Sequence, residues 1–278
     1  NAGLAHVGDL GNLEVLSLNA KNVSDAGLEH LSGLKNLKWL MLSGTNVSGT
    51  GVAYLKGLES LQRLDLTGDR VTGAEFEHLA AIENLQELSL IATPQFGDTG
   101  LEHVGNLENL RGILLFGTGI TDQGLRHLRN LNKLRELLID RADITGPGLA
   151  HIRNLKNIEV LWLGDTTVAD GGLKHLSGLQ NLRELDLTDT KITGGGLAHL
   201  SGLEKLEQLL LGDTKVGDDG LAHLTGLKEL KALDLSSSQV SDAGLKHLSE
   251  LKKLEELDLS GTQLSDAGLV HFAGLKNL

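Results

Sequence analysis

A Gly-Leu-x-His-Leu motif, or a close variant, returns along the whole chain, and its spacing limits the fold more than any other feature. Its first position falls at Gly3, Gly27, Gly51, Glu75, Gly100, Gly124, Gly148, Gly172, Gly196, Gly220, Gly244 and Gly268. Every step is 24 residues except the 25 from Glu75 to Gly100. One unit reads L-x-x-L-x-L-x-x-T-x-V-x-D-x-G-L-x-H-L-x-x-L. A segment this short cannot bury its own leucines, so successive units must stack and share a continuous core.

The unit that starts at Leu182 shows the local structure. Leu185 and Leu187 have the period of a short strand. Leu197, Leu200 and Leu203 recur every third residue, which predicts a short helix or 3₁₀ turn. Asp or Ser/Thr stands ahead of most of these helices, as in Ser24-Asp25 and Ser241-Asp242, where it can cap free N–H groups. Gly at the helix start allows tight packing where the chain turns. The strand edge of each unit is narrower than the helix edge, so the stack curves. The predicted class is α/β, a solenoid with a concave parallel sheet of about eleven strands and convex short helices. No composition shift interrupts the series. Residues 1–278 therefore read as a single domain of eleven complete repeats with partial repeats at the ends.

Leucine, valine, isoleucine and alanine must fill the core, because 40% of residues are hydrophobic and only 3% aromatic. Lys+Arg number 25 against 37 Asp+Glu, a formal charge of −12. That balance argues against nucleic acid and anionic membrane, which need a positive footprint, and suits either a protein partner with a basic surface or solubility alone. Cysteine is absent, which removes disulfide and thiolate chemistry and leaves the compartment open. No apolar run reaches membrane-spanning length.

On these motifs the segment resembles the leucine-rich-repeat family over essentially all of its 278 residues. The T-x-[VI]-[ST]-D-x-G-L-x-H-L half looks like the 24-residue repeats of many bacterial proteins. It is also similar to the cysteine-containing repeats of F-box ubiquitin-ligase adaptors, with Thr45, Thr118, Thr166, Thr190, Thr214 and Thr262 where that class has Cys. The resemblance implies a horseshoe that recognises protein on its concave face. Asn1 begins inside a unit and Leu278 stops at the first leucine of the next strand, neither with a polar capping unit, so a fragment of a longer chain is expected.

All eleven histidines occupy one repeat position, from His6 to His271. Catalytic histidines are singular and metal ligands converge, and a ladder at repeat spacing does neither. The reading is a half-buried ladder bonded to nearby backbone, which would loosen the fold on acidification. Gly194-Gly195-Gly196 is a repeat boundary, and Asn22-Val-Ser and Asn46-Val-Ser are by-products of the consensus. No catalytic, cofactor or metal site is expected.

In L-x-x-L-x-L-x-x the leucines face the core, and the third, fifth, seventh and eighth positions face solvent. Position five carries three consecutive large apolar residues, Leu114, Leu138 and Trp162. Ile91 and Phe116 join from position seven and Val160 from position three, giving one predicted exposed patch. Trp39 shares the face with Val15 and Met41. Contiguous apolar surface marks an interaction site, and tryptophan is a frequent anchor. Beyond Trp162 the face turns acidic through Asp165, Glu184, Asp186, Asp189, Asp213, Asp234, Glu256 and Asp258, which reads either as a plain solvated face or as a surface that would speed encounter with a basic partner. Asp69, Glu75 and Phe76 break the consensus, and an extra residue lies near Thr93-Pro94-Gln95-Phe96, beside Ile91.

The candidate partner-binding residues are Trp39, Met41, Ile91, Leu114, Phe116, Leu138, Val160, Trp162, Asp186, Leu210, Asp213, Asp234 and Asp258. The function they point to is protein–protein recognition on the concave face. Two alternatives stay open: the recognition arm of a larger bacterial effector or ubiquitin-ligase adaptor, and a structural or cell-surface spacer without a specific ligand. The patch also has a rival use, packing against another part of a longer chain or self-association with a second copy.

Overall fold

A computed structural model describes residues 1–68 and 70–278; the consensus break at Asp69 lies outside the described residues. Contacts divide the chain into two compact units, Asn1–Leu138 and Ile139–Leu278. The first holds β1 (Val15–Ser17), β2 (Trp39–Met41), β3 (Arg63–Asp65), β4 (Glu87–Ser89), β5 (Gly112–Leu114) and β6 (Glu136–Leu138). The second holds β7 (Val160–Trp162), β8 (Glu184–Asp186), β9 (Gln208–Leu210), β10 (Ala232–Asp234) and β11 (Glu256–Asp258). Within each unit the strands pair in parallel and in chain order. The register repeats the sequence period: Leu64 lies opposite Leu88, and across the longer step Ser89 lies opposite Leu114. Eleven strands among the described residues, joined through short helices, make the leucine-rich-repeat solenoid that the motif predicts.

Leucines at the repeat positions between the end strands are buried, and each is worth about 1.5–3 kcal/mol relative to exposure. Leu16 and Leu257, in the first and last strands, are only half-buried. The helix halves are short, as expected: one turn at Asp122–Leu125 and Asp242–Leu245, eight residues at the longest α-helix, Gly97–Val104.

Three features shape each unit. First, the chain leaves the strand through a left-handed residue at position eight. Gly44, Gly68, Gly117 and Gly261 hold φ between 65° and 73°, and Ala92, Arg141, Asp165, Asp189, Asp213 and Ser237 between 50° and 57°. Glycine and aspartate tolerate that conformation best. Second, the threonine at position nine is buried and donates to the carbonyl three residues back, as Thr118 does to Leu115 (2.7 Å) and Thr190 to Leu187 (2.6 Å). Its hydroxyl stays inside because the strand's own carbonyl accepts from it.

Third, an aspartate at the helix start clamps the next repeat. Asp98 accepts from the N–H and hydroxyl of Thr121 (2.8 and 2.7 Å), Asp170 from Thr193 (2.7 and 2.6 Å) and Asp218 from Ser241 (2.7 and 2.6 Å). The helix caps expected from sequence are present at Thr121, Thr193 and Ser241 but longer, 3.2–3.4 Å. The shorter, charge-assisted bonds run between repeats. At two places where the aspartate is missing the hydroxyl is missing too: Gly146 is followed by Ala169, and Gly194 by Gly217. The backbones close in at those places. A Cβ on Gly172 would lie 2.6 Å from Gly146 Cα, and one on Gly220 would lie 2.6 Å from Gly194 Cα.

The extra residue ahead of Gly97 is absorbed by the core. Phe96 turns inward, buried, and meets Phe76 edge-on at 5.0 Å between ring centres. The two consensus breaks are thus one packing solution.

Candidate protein-binding face

The alternation of the strand sends the third, fifth and seventh positions outward, as expected. In the first unit Leu114 stands directly opposite Leu138 across the β5–β6 ladder. Ile91 and Phe116 hold position seven of consecutive repeats, where the Ala92 N–H donates to the Phe116 carbonyl (2.8 Å). These four side chains are half-buried rather than fully exposed, a correction to the expected exposed patch. Their neighbours on the sheet cover part of each. Trp39 and Met41 are half-buried on β2, and Val15 beside them is 50% exposed. The Arg63 guanidinium lies 5.3 Å over the Trp39 ring and pairs with Glu87 at 3.0 Å, so one face of that ring is already covered.

In the second unit Val160 and Trp162 lie on β7, opposite Glu184 and Asp186. Trp162 Nε1 donates to Glu184 Oε1 at 2.6 Å, which fixes the indole against an acid. Leu210 stands between Asp186 and Asp234 on neighbouring strands. The aspartates at position five have a local duty that sequence patterning missed. Asp186 accepts from Thr188 N–H, Asp234 from Ser236 N–H and Asp258 from Ser260 N–H, each at 2.8 Å. The Ser260 hydroxyl and N–H hold the Asp258 carboxyl below its usual range. Asp213 is a left-handed turn residue, as are Asp165 and Asp189.

Asp140 also escaped the sequence reading. It occupies position seven, yet is only 6% exposed. Its Oδ1 accepts from the Gly164 N–H at 2.7 Å. Burial lifts its pKa to about 6, the Gly164 bond opposes the rise, and the negative Asp186 and Asp165 add to it. Gly164 leaves a notch there: a Cβ on it would lie 3.1 Å from Asp140 Oδ1 and 3.5 Å from Asp186 Oδ2. The signal was present as Asp140 followed one repeat later by Gly164 at the same position.

The histidines do not form the backbone-bonded ladder expected. Among the described residues, His127 accepts from Arg126 Nε at 3.2 Å and His78 lies 3.9 Å from Glu77; no histidine side chain bonds to backbone. Only His175 has a resolved shift, downward, from burial first and then from Lys174 and Arg153. Among the described residues no three His, Asp or Glu are grouped to hold a metal, and no helix is long and apolar enough to cross a membrane.

Two family models match the chain. One, described as Zer-1-like leucine-rich repeats, covers residues 173–276, and one, described as leucine rich repeat, covers residues 11–71. Compared with curated proteins, the chain matches none. Among solved structures it is similar to internalin C2 from Listeria monocytogenes, with 32% identity, TM-score 0.59, and coverage of 75% of this chain and 82% of that one. It is similar in fold to the internalin inlF from the same organism, with 22% identity, TM-score 0.72, and coverage of 98% and 81%. A plant peptide hormone receptor, RGFR1, in complex with RGF2, shares the fold at 20% identity and TM-score 0.68; this chain spans 44% of its length.

Proposed function

The chain belongs to the leucine-rich-repeat family, and we propose that it recognises a protein partner through the solvent-facing side of its strands. The observation that carries the reading is the pairing of Leu114 with Leu138, flanked by Ile91 and Phe116, on positions where the fold itself needs no apolar residue. Trp39, Met41, Val160, Trp162 and Leu210 are the further anchors. Asp186, Asp213, Asp234 and Asp258 give the second unit a surface suited to a basic partner. Neither matching family model describes a catalytic domain, and the similar plant receptor was solved with a peptide hormone, which supports a polypeptide ligand.

The test is capture from lysate with the wild-type chain, with Leu114→Asp, Leu138→Asp and with Trp162→Asp, after melting curves show equal folding. A partner kept by the wild type and lost by the first variant supports this site. Equal capture by all three would overturn it.

A further inference from the structure

We propose that a hollow between two neighbouring repeats of the second unit binds a small uncharged aromatic molecule carrying one O–H or N–H donor. The hollow, about 660 Å³, is lined by Pro147, Ala150, Thr167, Ala169 and His175 together with glycine backbone. It lies beside the short helices Gly148–His151 and Asp170–Leu173.

The hollow comes from a triple departure from the repeat. Every other seam keeps at least one of three side chains: the aspartate at the helix start, the Ser/Thr of the next repeat, or a residue larger than glycine two places beyond it. The Gly73–Gly97 seam keeps Thr99 in that third place. The Gly194–Gly217 seam keeps Asp219, whose Oδ1 would lie 2.5 Å from a Cβ on Gly194. Here the three places hold Gly146, Ala169 and Gly171. A Cβ on Gly171 would meet nothing within 4 Å, so the space beside it is open. Thr167 widens it, because the next four repeats carry the longer Lys191, Lys215, Gln239 and Gln263 at that position. Stacking does not ask for this room, since other seams of the same fold fill it.

The lining sets the ligand's chemistry. None of the ten lining residues is Asp or Glu, in a chain that has 37 of them. Pro147, Ala150 and Ala169 give apolar walls, and Gly146, Gly171 and Gly172 offer bare backbone against which a flat ring can lie. Two polar groups converge on this apolar space. Thr167 Oγ1 donates to the Ile144 carbonyl at 3.1 Å, which leaves its lone pairs to accept. The His175 side chain is half-buried and makes no hydrogen bond among the described residues. Burial first, then Lys174 and Arg153, lower its pKa, so the ring stays neutral and its bare nitrogen accepts. Both groups call for a donor, which a phenol-like O–H or an indole-like N–H supplies. Lys174 also lines the hollow but is exposed, where water and salt screen its charge. An apolar cavity of about 150 Å³ holds a benzene, so two fused rings fit here.

The test follows backbone amide shifts of the isotope-labelled chain with 2-naphthol, naphthalene and 2-naphthoate as probes. Saturable shifts with 2-naphthol, confined to residues 147–150 and 167–175, are expected. Naphthalene, which lacks the donor, should bind about tenfold more weakly. Gly171→Leu fills the hollow and should abolish the shifts. Its melting temperature should match or exceed that of the wild type, because the added side chain enters open space and leucine suits a helix better than glycine. His175→Ala should bring 2-naphthol down to the level of naphthalene. No saturable shift with 2-naphthol, or shifts that survive Gly171→Leu, would overturn the site. Equal binding of naphthalene, or tighter binding of 2-naphthoate, would overturn the ligand class.

Discussion

Between Asn1 and Leu138 the outward strand positions hold Trp39, Met41, Ile91, Leu114, Phe116 and Leu138, with Arg63, Asp65, Glu87 and Glu136 as their charges. In β7–β11 of the second unit the same positions hold eight carboxylates, Asp165, Glu184, Asp186, Asp189, Asp213, Asp234, Glu256 and Asp258, and no lysine or arginine. The backbone is the same in both, so the difference lies in how each repeat solves its exit turn. The first unit often solves it with glycine, at Gly44, Gly68 and Gly117. The second uses aspartate twice over, at the left-handed position and as the acceptor from the N–H two residues on. Six of the eight acids are thus turn residues before they are anything else; Glu184 and Glu256 are not. The apolar residues of the first unit have no such duty, which makes them the stronger sign of a partner.

The comparison breaks most sharply on binding. Phe116→Ala or Leu138→Ala should cost about 2–4 kcal/mol of affinity by calorimetry against the captured partner, the range of a central anchor. Asp186→Asn, Asp234→Asn should change mainly the on-rate and its salt dependence. The reverse ranking would place recognition on the acidic unit.

Asp140 comes next, and its sign is opposite to that of an ordinary surface acid. Its pKa is about 6 in the fold and about 3.9 when unfolded. Between those values the native state holds the extra proton, so stability falls as pH rises from about 4 to about 6 and stays lower above. Asp140→Asn keeps an acceptor for the Gly164 N–H and removes the buried charge. It should stabilise the chain at about pH 7.5 by about 2–3 kcal/mol, and the gain should vanish near pH 3 in paired thermal melts.

The turn reading separates from the charge reading at Asp186. Alanine there removes the acceptor for the Thr188 N–H and should cost about 1 kcal/mol of stability, while asparagine keeps the bond and should cost less. Equal losses in denaturant melts would mean that the charge, not the turn, is what β8 needs.

The smallest effect is expected at the histidines. The His175 pKa is lowered in the fold, so protonation opposes folding, and its contribution is present above about pH 6.5 and lost as the pH falls. His175→Gln should remove a slight fall in melting temperature between about pH 7.5 and pH 5.5. A steep fall that survives this substitution would restore the idea that the whole ladder senses acid.

Much of this molecule was legible in its 24-residue period. The period fixes which leucines are inside, because a stack can share a core only in register, and it fixes which positions of each strand point outward. The unit, the parallel ladder and the short helices follow from that alone. Tertiary structure decided what the repeated polar residues do. The Asp and Ser/Thr that read as caps of their own helix bind each other across repeats, since residues about 23 apart in sequence are neighbours only once the chain is stacked. Their joint absence at Gly146 and Ala169 was written in the sequence but gained meaning only from that contact. The same holds for Asp140, whose burial depends on a glycine one repeat away, and for Phe96, which packs edge-on against Phe76 in space kept open at Gly100, where a Cβ would lie 2.2 Å from the Phe96 ring. Periodicity reports which face a residue is on; only the neighbouring repeat decides how much solvent and which partner it meets there.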